Sequence, residues 1–435
     1  MDAFRIHGGN RLHGEIEIGG AKNAVLPIMA ASLLIQGRTF IRRVPHLKDV
    51  ETMNELLSHL GARGAYVDHC FEIDATRVDT WEAPWEIVRR MRASIYVLGP
   101  LLARLGRARV SLPGGCAWGP RPVDLHLRGM ELLGADVRLD HGYIQATVPP
   151  GGLRGARITF DVSSVGATGN VLMAACLARG VTTIENAALE PEIVALADFL
   201  CAAGARITGQ GTPTITVQGV AFLRPTEFDN IPDRIEAGTY LAAGAITGGE
   251  VTLRQVRADH LSLVLDRLRE MGAGIETTPS RSGSGDDVRV VPPASGRLRA
   301  IDITTQPYPG FPTDLQAQFL ALLCVADGTG IVTDTIYTDR FSHIAELQRL
   351  GADVRLTQNV ATVRGTAFLD GAEVMSTDIR ASSALVLAGL VARGETRVHR
   401  VYHIDRGYEA IESRLRALGA AIERYDDAAA SGRNA

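Results

Sequence analysis

The sequence is poor in the features that most often announce a function. Aromatic side chains make up only 5% of its 435 residues, too few for an aromatic-strand sandwich, and the abundant Ala, Gly, Leu and Val point to a closely packed α/β protein. Cysteine is scarce and odd in number. Cys70, Cys116, Cys176, Cys201 and Cys324 contain no Cys-x-x-Cys pair and no metal-ligand spacing, which argues against a disulfide framework and fits a reducing, cytoplasmic setting. The apolar run Ala24 to Ile35 is shorter than the roughly 20 residues that span a bilayer, and no signal-peptide pattern precedes it. A net charge of −4 gives no electrostatic case for nucleic acid or an anionic membrane. No glycine loop ending in Lys-Ser/Thr and no cluster of metal ligands is present, so neither a cofactor nor a metal is expected.

What the chain has in quantity is glycine at regular positions. A strongly apolar, helix-length run closed by glycine occurs six times, before Gly37, Gly106, Gly180, Gly248, Gly328 and Gly394. An amphipathic run ending in Gly-Ala also occurs six times, at Gly61, Gly134, Gly204, Gly272, Gly351 and Gly419, spaced 73, 70, 68, 79 and 68 residues apart. A period near seventy is an internal repeat, and glycine just past a helix end is the usual left-handed cap. Each unit reads as β-α-β-α-β-β. The apolar helices should be buried and the amphipathic ones should lie outside, three units making one globule and six making two. The longest interval holds Thr278 to Asp287, expected to be a polar surface loop, and Asp426 to Ala435 reads as a disordered tail.

The chemistry-bearing residues gather in two kinds of place. One is the stretch Leu112 to His126, where Cys116 sits among three glycines and three prolines with Arg121 five residues later. A nearby guanidinium favours the reactive thiolate, whereas burial as a small hydrophobe is the ordinary fate of a free cysteine. The other is the start of the apolar helices, where Lys22, Arg92, Arg234 and Arg380 recur. Helix N-termini bind anions, and these cations would reinforce them. Asn23, Ser94, Thr168 and Ser382 are good capping residues, and capping accounts for each alone but not for the recurring cations. Asp314 stands at a helix start, able to stay ionised and accept a proton, and Tyr402 to Glu409 is dense in ionisable groups. Either could instead form surface ion pairs.

Taken together, Gly20 to Asn23, the Leu112 to His126 stretch, Ser164 to Thr168, Pro232 to Glu236, Phe311 to Asp314 and His403 to Tyr408 resemble the UDP-N-acetylglucosamine 1-carboxyvinyltransferase family, an enolpyruvyl transferase family, over nearly the whole chain. The resemblance implies two inverse α/β globules of three repeats each, residues 22–231 forming one and residues 1–21 with 232–425 the other, with the substrates between them. It implies transfer of the enolpyruvyl group of phosphoenolpyruvate to the 3-hydroxyl of UDP-N-acetylglucosamine, with release of phosphate, in the first committed step of peptidoglycan synthesis.

By the same resemblance Lys22, Arg121 and Arg406 would clamp phosphoenolpyruvate with Arg92 and Arg380 nearby, Cys116 would protonate the methylene carbon, and Asp314 would face the attacking hydroxyl. Arg121, Pro122, Val123, Asp124 and Leu125 match the uridine-contacting segment, Ser164, Val165 and Gly166 the diphosphate contacts, and Asn23, Ile336 and Arg340 other lining residues. Val162 and Leu189 depart from the family, standing where some members have lysine and where arginine is common. A relative acting on shikimate 3-phosphate would share the repeats without the cysteine loop and uridine segment. A relative using another uridine nucleotide, or a silent nucleotide-binding paralogue, would keep more of these residues.

Overall fold

The computed structural model describes residues 2–112, 123–280, 283 and 285–426. The chain divides into two compact units with the breaks at Gly19/Gly20 and Ile231/Pro232. Each has its own hydrophobic core, one built from residues between Ala21 and Leu223, the other from Phe4 to Ile18 together with Ile235 to Ile422. Gly20 and Ala21 lie with the 20–231 unit because the Ala21 N–H donates to the Ile231 carbonyl at 2.7 Å, whereas the Asp233 N–H donates to Gly19 in the other unit at 2.9 Å.

Among the described residues six four-stranded sheets, three per unit, correspond to the six repeats. In the third repeat the chain runs strand Arg157–Thr159, helix Val165–Ala175, strand Val181–Glu185, helix Pro191–Ala202, then strands Arg206–Thr208 and Thr214–Gln218. The first two strands are parallel, as a helical crossover requires, and the fourth inserts antiparallel between the second and third. All six sheets keep this order, but three borrow a strand from far away in sequence. Thr226–Asp229 completes the sheet of Arg38–Arg42, His13–Glu17 that of Glu250–Val256, and Asp2–His7 lies between Glu395–His399 and Ala421–Asp426. Asp426 is thus the last residue of a strand paired with Asp2 and not the start of a tail, and residues 427–435 lie outside the described residues.

The glycines of the six Gly-Ala pairs all adopt φ between 88° and 101°, which an L side chain rarely tolerates, so each stops its helix and turns the chain into the next strand. The helices that follow the first strand of each repeat are buried on nearly every face, as in Arg234–Ile246, whereas Ser262–Glu270 buries only Val264, Leu265 and Leu268. One outer helix departs from the expected amphipathic pattern. Pro191–Ala202 buries eight residues and packs on Lys22–Ala31, consistent with its nearly uninterrupted apolar sequence. The expected surface loop is also shorter than Thr278 to Asp287. Strands Gly274–Pro279 and Asp286–Val291 reach into it, and Asp287 is buried against Arg254.

Candidate functional site

The buried helices begin earlier than the apolar runs alone suggest, so the residues expected just ahead of them occupy their first turns. Lys22 opens Lys22–Ala31, Arg92 a 3₁₀ turn at Arg92–Val97, Val165 opens Val165–Ala175 and Arg380 is second in Ile379–Gly389. The side-chain caps are Ser164, Asp233 and Asp378. Asn23, Ser94, Thr168 and Ser382 are not caps. Thr168, for example, accepts the Ala188 N–H at 3.1 Å.

In the unit formed by residues 2–19 and 232–426, Asp314 lies in a 3₁₀ turn leading into Gln316–Cys324. Its carboxylate takes Arg340 at 2.8 Å on one oxygen and Arg380 at 2.7 Å on the other. Both arginines are buried. Burial alone would raise the Asp314 pKa, but the two guanidiniums outweigh it and hold the carboxyl well below its ordinary range. The carboxylate is therefore ionised.

Asp334, fully buried, builds the frame behind it by accepting from Thr305 at 2.8 Å, Thr313 at 2.7 Å, and the Ile336 and Tyr337 N–H groups at 2.9 Å each. Arg340 also donates to Thr313 at 3.1 Å. Ile336, Arg340 and Asp314 are thereby brought together. Arg380 donates to the Tyr408 hydroxyl at 3.2 Å, and Gln318 bridges Tyr408, Thr239 and the Asp314 carbonyl. Arg406 ends the 3₁₀ segment Val401–Arg406, which is tied down by a bidentate contact of Asp405 with Arg424 at 2.5 and 3.0 Å. Arg234 stacks over the Tyr308 ring with its guanidinium carbon 5.5 Å from the centroid.

The remaining described candidates lie in the Gly20–Ile231 unit. Lys22 is buried and paired with the equally buried Asp49 at 3.2 Å. Asn170, inside the apolar helix Val165–Ala175, donates to the Ile95 carbonyl at 3.0 Å and to Nδ1 of His126 at 2.9 Å, while its own oxygen accepts the Gly99 N–H at 2.9 Å. Those partners fix the amide, so His126 Nδ1 is the acceptor and Nε2 carries the proton. Burial and then Arg92 push the His126 pKa down to about 4, keeping the ring uncharged. The ring rests on Gly166, where an added Cβ would lie 2.9 Å from it. His126 thus supports the turn of Ser164, Val165 and Gly166, which is itself capped by Ser164 Oγ accepting the Ala167 N–H at 3.3 Å.

Val123, Asp124 and Leu125 form the entry to the helix Asp124–Leu132, with Asp124 exposed. Asn23 is half-buried beside Lys22, and Val162 is exposed. Cys116, Arg121 and Pro122 lie outside the described residues. The thiols of Cys176 and Cys324 are buried, which pushes the first far up and the second up to about 12, so both are poor nucleophiles.

Asp49, His126, Asn170, Gln318 and Asp334 were not expected from the sequence. Asn170 and Gln318 had a signal, since a polar residue inside a helix buried on all faces must find a partner. Asp49 and Asp334 had none, because nothing in their local pattern distinguishes them from surface carboxylates.

The family model for EPSP synthase (3-phosphoshikimate 1-carboxyvinyltransferase) matches residues 6–415. UDP-N-acetylglucosamine 1-carboxyvinyltransferase of Chlorobium phaeovibrioides is 54% identical over 98% of this chain and 100% of its own, and that of Chlorobium luteolum is 55% identical over 98% of each. Among solved structures, the enolpyruvyl transferase NikO from Streptomyces tendae superimposes with a TM-score of 0.87 at 26% identity, covering 97% of this chain and 98% of that one. EPSP synthase from Acinetobacter baumannii, at 20% identity, shares the fold with a TM-score of 0.75 over 98% of this chain and all of its own. No helix among the described residues is long and apolar enough to cross a membrane. The chain belongs to the enolpyruvyl transferases that this family model describes and, among them, to the UDP-N-acetylglucosamine 1-carboxyvinyltransferase family.

Proposed function

We propose that the protein transfers the enolpyruvyl group of phosphoenolpyruvate to the 3-hydroxyl of UDP-N-acetylglucosamine with release of phosphate, in the cytoplasm, as the first committed step of peptidoglycan synthesis. The observation that carries this reading is the carboxylate of Asp314, held ionised between Arg340 and Arg380 at the head of a buried helix, in a chain more than half identical to relatives of that name. A carboxylate so placed accepts the proton of the attacking hydroxyl, and the surrounding guanidiniums suit substrates that carry phosphate.

In the addition step the hydroxyl oxygen bonds to C2 of phosphoenolpyruvate, its proton passes to Asp314, and the methylene carbon takes a proton from Cys116. In the elimination step the C2–O bond to phosphate breaks as the proton held by Asp314 passes to the departing phosphate, a proton leaves the methyl carbon for the Cys116 thiolate, and the double bond re-forms. Lys22, Arg92, Arg121, Arg380 and Arg406 would hold the carboxylate and phosphate of phosphoenolpyruvate. Asn23, Val123, Asp124, Leu125, Ser164, Val165, Gly166, Ile336 and Arg340, with Arg121 and Pro122, would hold the nucleotide sugar.

Phosphate release on mixing the protein with phosphoenolpyruvate and either UDP-N-acetylglucosamine or shikimate 3-phosphate tests the reading. Release with the nucleotide sugar and not with shikimate 3-phosphate is expected. Release with shikimate 3-phosphate alone, or with neither, overturns it.

A further inference from the structure

Tyr408 closes the ionisable segment Tyr402 to Glu409, yet its hydroxyl belongs to no step above. The side chain is fully buried, and its oxygen meets three polar groups: Thr239 Oγ1 at 2.8 Å, Gln318 Nε2 at 3.2 Å and Arg380 Nη1 at 3.2 Å. The direction of each hydrogen bond can be assigned. The Arg380 guanidinium can only donate. Gln318 Nε2 also lies 3.1 Å from the main-chain carbonyl of Asp314, an acceptor, which fixes the amide with its nitrogen toward the phenol. The Thr239 hydroxyl donates to the Ile235 carbonyl at 2.8 Å, leaving its oxygen to accept. Tyr408 therefore receives Arg380 and gives its own proton to Thr239, a one-way chain from Arg380 through Tyr408 and Thr239 to a helix carbonyl, and the second Gln318 N–H is shared between the Thr239 and Tyr408 oxygens at 3.0 and 3.2 Å.

Arg380 thus has two anchors of different kinds. One is the Asp314 carboxylate, whose pull depends on its charge. The other is a neutral oxygen whose pull does not. A base that takes up a proton loses most of its hold on a neighbouring cation, and a guanidinium with no second acceptor is then free to turn away. Gln318 ties the Asp314 backbone to the same phenol, so the base and its cation share one fixed point.

We propose that Tyr408 is a positioning residue that holds Arg380 in place while Asp314 changes protonation state. The proposal rests on the reading of Asp314 as the base.

The test is Tyr408→Phe, which keeps the ring and removes only the oxygen, alone and combined with Arg380→Ala. With phosphoenolpyruvate and UDP-N-acetylglucosamine saturating, kcat is expected to fall about tenfold or more, the range for a hydrogen bond to a charged group, with KM for either substrate within about twofold. In the Arg380→Ala background the second change should have little further effect on kcat, because Tyr408 acts through Arg380. Equal loss of kcat in both backgrounds, or a lower Tm with kcat unchanged, overturns the proposal by making Tyr408 a structural residue only. A crystal structure of Tyr408→Phe gives a readout independent of turnover. Displacement of Arg380 from Asp314 is expected, and an unmoved guanidinium overturns the proposal. An unmodified protein that releases no phosphate refutes the functional reading instead, and the crystallographic outcome still decides whether Tyr408 holds Arg380.

Discussion

The corner around Asp314 and the network around His126 solve opposite problems. At Asp314 two buried guanidiniums converge on one carboxylate, so charge is retained inside the unit and the group stays ionised across the working pH range. At His126 a titratable ring is kept neutral by burial and by the nearby Arg92, and every polar atom of Asn170 is used to hold it. The first arrangement preserves a reacting group, and the second preserves a shape. A group flanked by counter-charge keeps its own charge, whereas a group that only supports a turn is better without one.

The sharpest way to break this contrast is Asp314→Asn. Loss of the proton acceptor should lower turnover by about 10² to 10⁴-fold, the usual contribution of a general base, with UDP-N-acetylglucosamine affinity within a few-fold by calorimetry. Activity near that of the parent would remove Asp314 from the chemistry. The second test is Asp49→Asn, which removes the buried carboxylate paired with the buried Lys22. Removing one partner of a buried pair typically costs about 3–5 kcal/mol, so urea denaturation should show a loss of that order, and an unchanged midpoint would mean that the pair contributes nothing.

The third test is acid. The folded His126 pKa of about 4 lies below the roughly 6.5 of an unfolded histidine, so between those values the unfolded chain binds a proton that the folded chain does not. Stability should be unaffected by this group above pH 6.5, decline by about 3 kcal/mol as the pH falls to 4, and level off below that. His126→Gln should flatten the decline seen in denaturant titrations across this window. A residual slope is expected from His343 in the other unit, where burial and Arg340 outweigh Asp378 and also depress the pKa. An unaltered profile in the variant would assign the slope elsewhere. The smallest effect on stability is that of Ser164→Ala, which removes the cap above His126 and should cost about 1 kcal/mol with the fold retained. A loss several times larger would show that the turn has no other support.

The periodic skeleton was legible in the sequence because it rests on local rules. Glycine after a helix and alternation after the glycine are written within a few residues, and all six Gly-Ala glycines take the left-handed conformation. The strand order was not legible, since which strand inserts between which depends on pairing across a repeat. Asp314 and Arg380 could be singled out by their helix starts, but the contact between them joins residues 66 apart in sequence. Arg340 and Asp334 reach the same corner from the far side of the repeat that holds Asp314, and Arg380 reaches it from the next repeat. Long-range side-chain partners leave no local trace, and this is why the frames behind Asp314 and His126 emerged only in three dimensions. The helix Pro191–Ala202 is a different case, because its apolar run was visible and the repeat pattern had grouped it with its amphipathic counterparts.

The borrowed strands set a timetable for synthesis. The Gly20–Ile231 unit contains all its sheet partners once Thr226–Asp229 has been made, so it can close while the remainder of the chain is still being translated. Asp2–His7 and His13–Glu17 leave the ribosome before any of it, yet their partners are residues 250–254, 395–398 and 421–426. These two strands are therefore made before the Gly20–Ile231 unit and paired after it. A chain terminated after residue 231 would carry one unit with all its strand partners and two leading strands with none.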